Sequence, residues 1–471
     1  MLSSRDRVLA ALFAFQLATA AVLGGFLVHA LDRADRRSSG QLSSSGAAGA
    51  PGLGPDASTG PAAPGAPAAG PGALPAGGAP RPGPAGPAGR SVPPPGVTGT
   101  GTTADTRTLA AGAPIKVGAV VTQTGAINFT ASAQATKAYF DMVNAHGGVN
   151  GHKILLNLQD DQLDPARGRA EAQQLADSGV FAFVGWNAPI TENGIVPFLE
   201  RNRIPLVGAY GEQEEYHSRY SFIYSASYGH YGFQLGSWLA EQKAKTPGFI
   251  FITNSSQKAD NGLKEAFRAG LKSQGVTLND SNVVVVDPTK ASYDDVVTQF
   301  KINGVDGIAT VVDQTAYNRL LQSMQRQAYR PIHVAIPLFV DPSVKQSAAT
   351  DGTFVVTELE FTDGGGPAVQ EYVDAVHASF GDQAQVNYIG EQGWVDAKAF
   401  VDAIRRMGST ITREKLISTL EATDGRDGLG FSAPLHFGPG VRDINRCLKV
   451  GKVVGGRVTR VTGWRCDEQP F

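Results

Sequence analysis

The sequence predicts an α/β fold of two lobes, each built on a parallel sheet. Three observations carry that prediction. Between Ile115 and Gly185, three short apolar runs alternate with two segments of helical character. From Tyr228 onward the same alternation starts again. Residues 38–112 are nearly all Gly, Ala, Pro, Ser and Thr and cannot bury a core, so the folded part runs from Ala113 to Phe471.

Val8 to Leu31 contains no Asp, Glu, Lys or Arg, and its 24 residues are long enough to span a bilayer core at about 1.5 Å per residue. Arg5 and Arg7 precede it, while Arg33, Arg36 and Arg37 follow it, so flanking charge does not fix its orientation. Two readings fit residues 1–37. One is an uncleaved membrane anchor, which the full length favours. The other is a cleaved signal peptide, with small residues at Ala18-Thr19-Ala20 or Val28-His29-Ala30. No Cys follows the apolar run, which excludes a lipoprotein anchor. Residues 38–112 then read as a disordered spacer, stiffened by Pro and loosened by Gly, without the strict glycine period of collagen. The expected location is extracytoplasmic: tethered to the cell membrane through Val8 to Leu31, or secreted if that segment is removed.

The first 112 residues hold eight Arg and five Asp, a net +3, so the folded part carries about −5 of the total −2. No basic run argues for nucleic acid. The first lobe opens with Ile115–Val121, apolar on nearly every residue, as a strand covered on both faces should be. Ala135, Tyr139, Met142 and Val143 follow at helical spacing, and Gly147-Gly148 and Asn150-Gly151 supply a stop and a turn. Ile154–Leu158 is the second strand. Asp164-Pro165 is a helix start, an N-cap acid before proline. Val180–Gly185 and Ile204–Gly208 are the third and fourth strands. In open sheets of this kind the carboxyl ends of the strands face the ligand crevice, so Thr124, Asn187, Ala188 and Tyr210 should converge on one rim.

In the second lobe, strands fall at Gly248–Thr253, Val283–Val286, Gly307–Val312 and His333–Ile336. Leu235, Trp238 and Leu239 mark one of the intervening helices, and Leu263, Phe267 and Leu271 another. Tyr228 stands at the rim where this lobe begins. Asp313 and Gln314 stand at a strand end. Further helix faces lie at Val369–Phe380, Trp394–Ile404 and Leu416–Leu420. LKVGKVVGGRVTRVTGWR, between Cys447 and Cys466, reads as two strands around Gly455-Gly456. A hairpin there can bring the two sulfurs together, and a disulfide is the preferred reading over two free thiols.

No Gly-x-Ser-x-Gly elbow, phosphate-binding Gly-x-x-x-x-Gly-Lys, His-Glu-x-x-His or Cys-x-x-Cys is present, and the eight His are scattered singly. Asp160-Asp161 reads as a solvated strand end rather than a catalytic pair. Neither catalytic residues, a metal nor a cofactor are expected.

Several segments, in order, carry a resemblance: IKVGAVVTQTG, NAHGGVNGHKI, DDQLDPARG, the FVG strand end, RIPLVG, TDGRDGLGFSAPLHFGPG and KVGKVVGGRV. Together they resemble type 1 periplasmic solute-binding proteins of the branched-chain amino acid (leucine/isoleucine/valine) group of ABC transporter receptors, from about Ile115 to the end. The resemblance implies two Rossmann-like lobes joined by a three-crossing hinge, with lobe 1 made of 113–227 plus 358–433 and lobe 2 of 228–357 plus 434–471. Val355–Glu360 and Phe431–Gly440 would be crossings. It also implies a non-enzymatic, monomeric binding domain that captures a small polar or amphipathic solute, an amino acid, amide or related compound, and presents it to an ABC permease. A membrane-tethered sensor acting through a partner is the alternative. In the family, hydroxyl and backbone groups hold a ligand carboxylate and an acid of the second lobe holds its ammonium. Here the matching loops read WNAPIT after Gly185, AYGE after Gly208 and Ala259-Asp260-Asn261-Gly262 in the second lobe. The acid falls at Leu338, and Asp313 is the expected replacement.

Overall fold

The computed structural model describes residues 108–469 apart from 126–127, 193, 212, 253–261, 288–289, 338–344 and 424–427. A first sheet holds β1 (Ile115–Val120), β2 (Ile154–Gln159), β3 (Ala182–Trp186), β4 (Leu206–Ala209) and β5 (Ser221–Phe222). Its order is β2-β1-β3-β4-β5 and every pairing is parallel. A second sheet holds β6 (Pro247–Ile252), β7 (Val283–Val286), β8 (Gly307–Val311), β9 (Ile332–Ala335), β10 (Phe354–Thr357), β11 (Cys447–Val454) and β12 (Arg457–Arg460). It runs β12-β11-β10-β9-β8-β6-β7, with β13 (Arg465–Cys466) paired to β11. The pairings are parallel from β7 to β10 and antiparallel at β11, β12 and β13.

Local chemistry explains the elements. β1 and β3 are buried along nearly their whole length, which is why they read as unbroken apolar runs. α1 (Thr130–Ala145) follows β1. α2 (Pro165–Asp177) starts as the sequence signals. Asp164 accepts from the N–H groups of Ala166 at 2.8 Å and Arg167 at 3.2 Å, and Pro165 fills the first turn. α3 (Pro189–Glu192) is a single turn formed by the WNAPIT loop, and α4 (Val196–Asn202) follows it.

In the second lobe α5 (Tyr228–Glu241) and α6 (Leu263–Ser273) cross at close range. A Cβ on Gly236 would lie 2.2 Å from the Phe267 carbonyl oxygen, and one on Gly270 would lie 2.1 Å from that of Phe233. Only glycine permits that approach. α7 (Asp294–Ile302) and α8 (Gln314–Arg326) complete this part. α9 (Pro367–Phe380), α10 (Tyr388–Met407) and α11 (Arg413–Glu421) return to the first sheet. There Trp394 packs edge-on against Tyr139, with ring centroids 4.7 Å apart.

Two main cores result. One joins Phe183, Trp186 and Leu206 of the first sheet to Trp394 and Phe400 of α10, and reaches as far as Phe437. The other joins Leu235, Phe249, Phe267 and Tyr317 to Leu448 and Val450 of β11. Each fully buried side chain of this size contributes about 1.5–3 kcal/mol of burial free energy. The chain passes between the cores three times: from Tyr224 to Ala226, from Val356 to Leu359, and from Phe437 to Leu448.

The expected parallel strands form, with ends that move by a few residues at most. β10 differs in role. It is a full member of the second sheet, paired with β9 and β11, and the crossing begins only after Thr357. Cys447 and Cys466 are joined as a disulfide. They pair across β11 and β13 rather than across the hairpin of β11 and β12. No helix among the described residues is long and apolar enough to cross a membrane. Val8 to Leu31 lies outside them.

Candidate functional site

The strand ends of the first sheet meet the amino end of α5 in a pocket between the two cores. Tyr210 and Gly211 reach it from the loop after β4, Ser225 from the first crossing, and Tyr388 and Gln392 from one face of α10. Opposite stand Tyr228 and Tyr231, one turn apart on α5, with Ile336 and Pro337 after β9.

Hydrogen bonds link these side chains across the gap. The hydroxyls of Tyr210 and Tyr228 meet tip to tip, and their rings lie 6.2 Å apart. Tyr388 donates to Glu358 Oε1 at 2.7 Å, and Tyr231 donates to Glu358 Oε2. Gln392 Nε2 donates to Ser225 Oγ at 3.0 Å and to the Tyr388 hydroxyl at 2.9 Å. Gln392 Oε1 is buried with no hydrogen-bond partner among the described residues.

Glu358 is fully buried behind the two tyrosines. Burial raises its carboxyl above the ordinary range, although hydrogen bonds from Tyr231, Tyr388 and backbone N–H groups work against the rise. Burial also pushes the Tyr231 and Tyr388 hydroxyls well above 10. A second carboxylate, Glu192 at the end of α3, is buried under the rim. Its Oε1 accepts from the N–H of Ala188 at 3.0 Å and of Tyr210 at 3.2 Å, and its Oε2 from the N–H of Gly211 at 3.2 Å.

Of the residues expected at the site, the pocket brings together Tyr210 and Tyr228. Thr124 is exposed and ties the turn after β1 to the end of β2, its hydroxyl donating to Asp160 Oδ2 at 2.7 Å. Asn187 and Ala188 are fully buried under the rim. Asn187 Nδ2 donates to Ser132 Oγ at 2.9 Å. Asp313 caps α8, where its Oδ1 accepts from the N–H groups of Thr315 at 2.9 Å and Ala316 at 3.0 Å. Gln314 is the first residue of that helix and half-buried. None of these five lines the pocket. Leu338 and Ala259-Asp260-Asn261 lie outside the described residues. Trp186 is fully buried against Phe183, a packing residue rather than a stacking platform.

Ser225, Tyr231, Tyr388, Gln392, Glu358 and Glu192 were not anticipated from sequence. Tyr231 and Gln392 had a signal, since each sits three or four residues after another pocket tyrosine on a helix. Glu358 and Glu192 had none, because an acid beside a strand end usually points to water. Among the described residues, no group of three or more His, Cys, Asp or Glu could hold a metal.

No curated protein matches the chain in sequence. Solved structures share its fold at low identity. A branched chain amino acid ABC transporter protein from Thermus thermophilus with bound valine aligns over 76% of this chain and 98% of its own, at 17% identity and a TM-score of 0.68. A fatty acid ABC transporter substrate-binding protein from Thermomonospora curvata covers 75% and 93%, at 18% identity and 0.65. A solute binding protein of an R. palustris ABC transporter in complex with benzoate covers 75% and 98%, at 12% identity and 0.64. The family profile described as periplasmic binding protein matches residues 114–457. With that match over most of its length, the chain belongs to the periplasmic binding proteins, a family of non-enzymatic solute-binding proteins.

Proposed function

We propose that the protein is the extracytoplasmic solute-binding component of an ABC-type importer. It captures a small polar or amphipathic solute, an amino acid, amide or related compound, and hands it to a permease. The observation that carries this reading is the pocket between the two cores, walled by tyrosines from both sides and crossed by their hydrogen bonds. Three chain crossings beside it form a hinge, and a ligand touching both walls favours the closed arrangement. Residues 113–227 plus 358–433 act as one lobe and 228–357 plus 434–471 as the other, except that Leu435 and Phe437 pack in the core of the first. Val8 to Leu31 tethers the binding domain, with 38–112 as its spacer. The relatives bind chemically diverse solutes, valine and benzoate among them. That diversity supports the role and leaves the ligand to this pocket's own residues.

A thermal-shift screen of purified protein against amino acids, amides, urea-like compounds and aromatic acids tests the reading. A true ligand at 100 times its Kd adds about 2.7 kcal/mol, which raises Tm by roughly 5 °C. X-ray scattering on the same sample should show a smaller radius of gyration with ligand. A panel that moves neither quantity refutes the proposal.

A further inference from the structure

Glu358 does not line the pocket, yet it holds both of its walls. It stands one residue past β10, in the second crossing, and is fully buried. Its Oε1 accepts from the hydroxyl of Tyr388, on the first lobe, at 2.7 Å. Its Oε2 accepts from the hydroxyl of Tyr231, on the second. Those two hydroxyl oxygens lie 3.3 Å apart. The N–H of Ala226, in the first crossing, also bonds the carboxylate. Gln392 extends the network, joining the Tyr388 hydroxyl to Ser225 Oγ in that same crossing. One carboxylate thus gathers donors from both lobes and from the chain that connects them.

Geometry ties these bonds to the cleft. Tyr228 and Tyr231 stand one turn apart on α5 and move with it as one body. A rotation that parts Tyr228 from Tyr210 therefore also draws Tyr231 away from Tyr388 and Glu358. All of these bonds join the protein's own groups and need no solute. A hydrogen bond to a charged acceptor shifts an equilibrium about ten- to a hundredfold. We propose that Glu358 is the positioning residue of solute capture: by holding Tyr231 and Tyr388 on one carboxylate, it biases the two lobes toward the closed arrangement before a solute enters. The inference rests on the solute-binding role above and names the residue that sets its open–closed balance. A solute that binds the closed arrangement then loses less affinity to the cost of closing.

The experiment measures the distance between the lobes. Cys447 and Cys466 are the only cysteines of the chain and are paired, so spin labels attach only where new cysteines are placed. Arg201 on α4 and Lys272 on α6 are exposed, one on each lobe. Full-length protein carrying Arg201→Cys and Lys272→Cys is refolded from guanidinium to strip any bound solute, then labelled. Pulsed electron resonance should show a short interlobe distance as the main population. Adding Tyr231→Phe or Glu358→Gln should lower the ratio of short to long distances at least about tenfold. A part that is only structural would lower the urea midpoint and leave the distances unchanged. A single long distance in the labelled parent overturns the inference, as does a parent-like distribution in the folded variants. If Glu358→Gln fails to fold, Tyr231→Phe, which spares the carboxylate, decides alone. Each overturning result leaves the solute-binding role standing, since the ligand screen tests that role separately.

Discussion

His230 provides the sharpest quantitative prediction. It is fully buried on α5, with Nδ1 2.8 Å from Asp467 and Nε2 2.9 Å from Asp443. Burial alone would pull its pKa down. Hydrogen bonds and charge from the two carboxylates outweigh that and bring it to about 9, against an ordinary 6.5. The folded protein therefore holds this proton more tightly than the unfolded chain does. The resulting stability is complete below pH 6.5 and disappears as pH rises from 6.5 through 9. A rise of that size corresponds to about 3 kcal/mol at 1.36 kcal/mol per pH unit. Urea unfolding of the wild type and of His230→Asn, at pH 6, 7.5 and 9.5, isolates this contribution, because every other titrating group is common to both. The wild type should lose about 3 kcal/mol more than the variant between pH 6 and 9.5. Parallel profiles for the two proteins would refute the charged-histidine account.

Other perturbations have defined outcomes. Arg442 is buried, lies 4.3 Å over the Phe222 ring, pairs with Glu421 at 2.7 Å and donates to the carbonyls of Ser218, Arg219 and Gly438. Arg442→Met should cost about 3 kcal/mol in urea unfolding, since it strands those acceptors; a loss under 1 kcal/mol contradicts that. Cys447 and Cys466 close a loop with a sequence separation of 19. Reduction should cost about 3 kcal/mol by the chain-entropy relation, read as a lower Tm in dithiothreitol, and an unchanged Tm counts against it. Gly208 has φ +74°, and a Cβ there would sit 1.9 Å from Asp396 Cγ. Gly208→Ala should destabilise by at least about 2 kcal/mol and should disturb Tyr210 two residues on, weakening ligand binding in calorimetry.

The sequence displayed its scaffold openly and its pocket only in part. Buried parallel strands such as β1 and β3 must be apolar on both faces, so their runs stand out. Asp164-Pro165 announces α2 because the cap and the fixed φ of proline are local chemistry. Tyr210 and Tyr228 were legible because each stands just beyond an element boundary that can be read. Glu358 and Glu192 were hidden, because their meaning lies in partners far away in the chain. Glu358 is bound by Tyr231, 127 residues earlier, and by Tyr388, 30 residues later. Glu192 was obscured further by WNAPIT, which reads as a loop yet folds into the single turn that aims its carboxylate. Asp313 looked like a ligand residue because it follows an apolar run. The same position also suits a helix cap, and Asp313 Oδ1 fills that role.

The three passages between cores also bear on how the molecule comes into being. The first core contains Phe437 and the second contains Val450, so each needs residues from the last tenth of the chain. β11, made among the last segments, sits inside the second sheet between β10 and β12 rather than at its border. A ribosome releasing this chain from its N-terminus therefore cannot finish one half and then begin the other. Both remain incomplete, with the edge of β10 unpaired, until almost all of the polypeptide has been synthesised. Closing these long-range contacts is slow compared with local helix formation. Nascent chains cut short before β11 should then be open to protease throughout, rather than containing one resistant half.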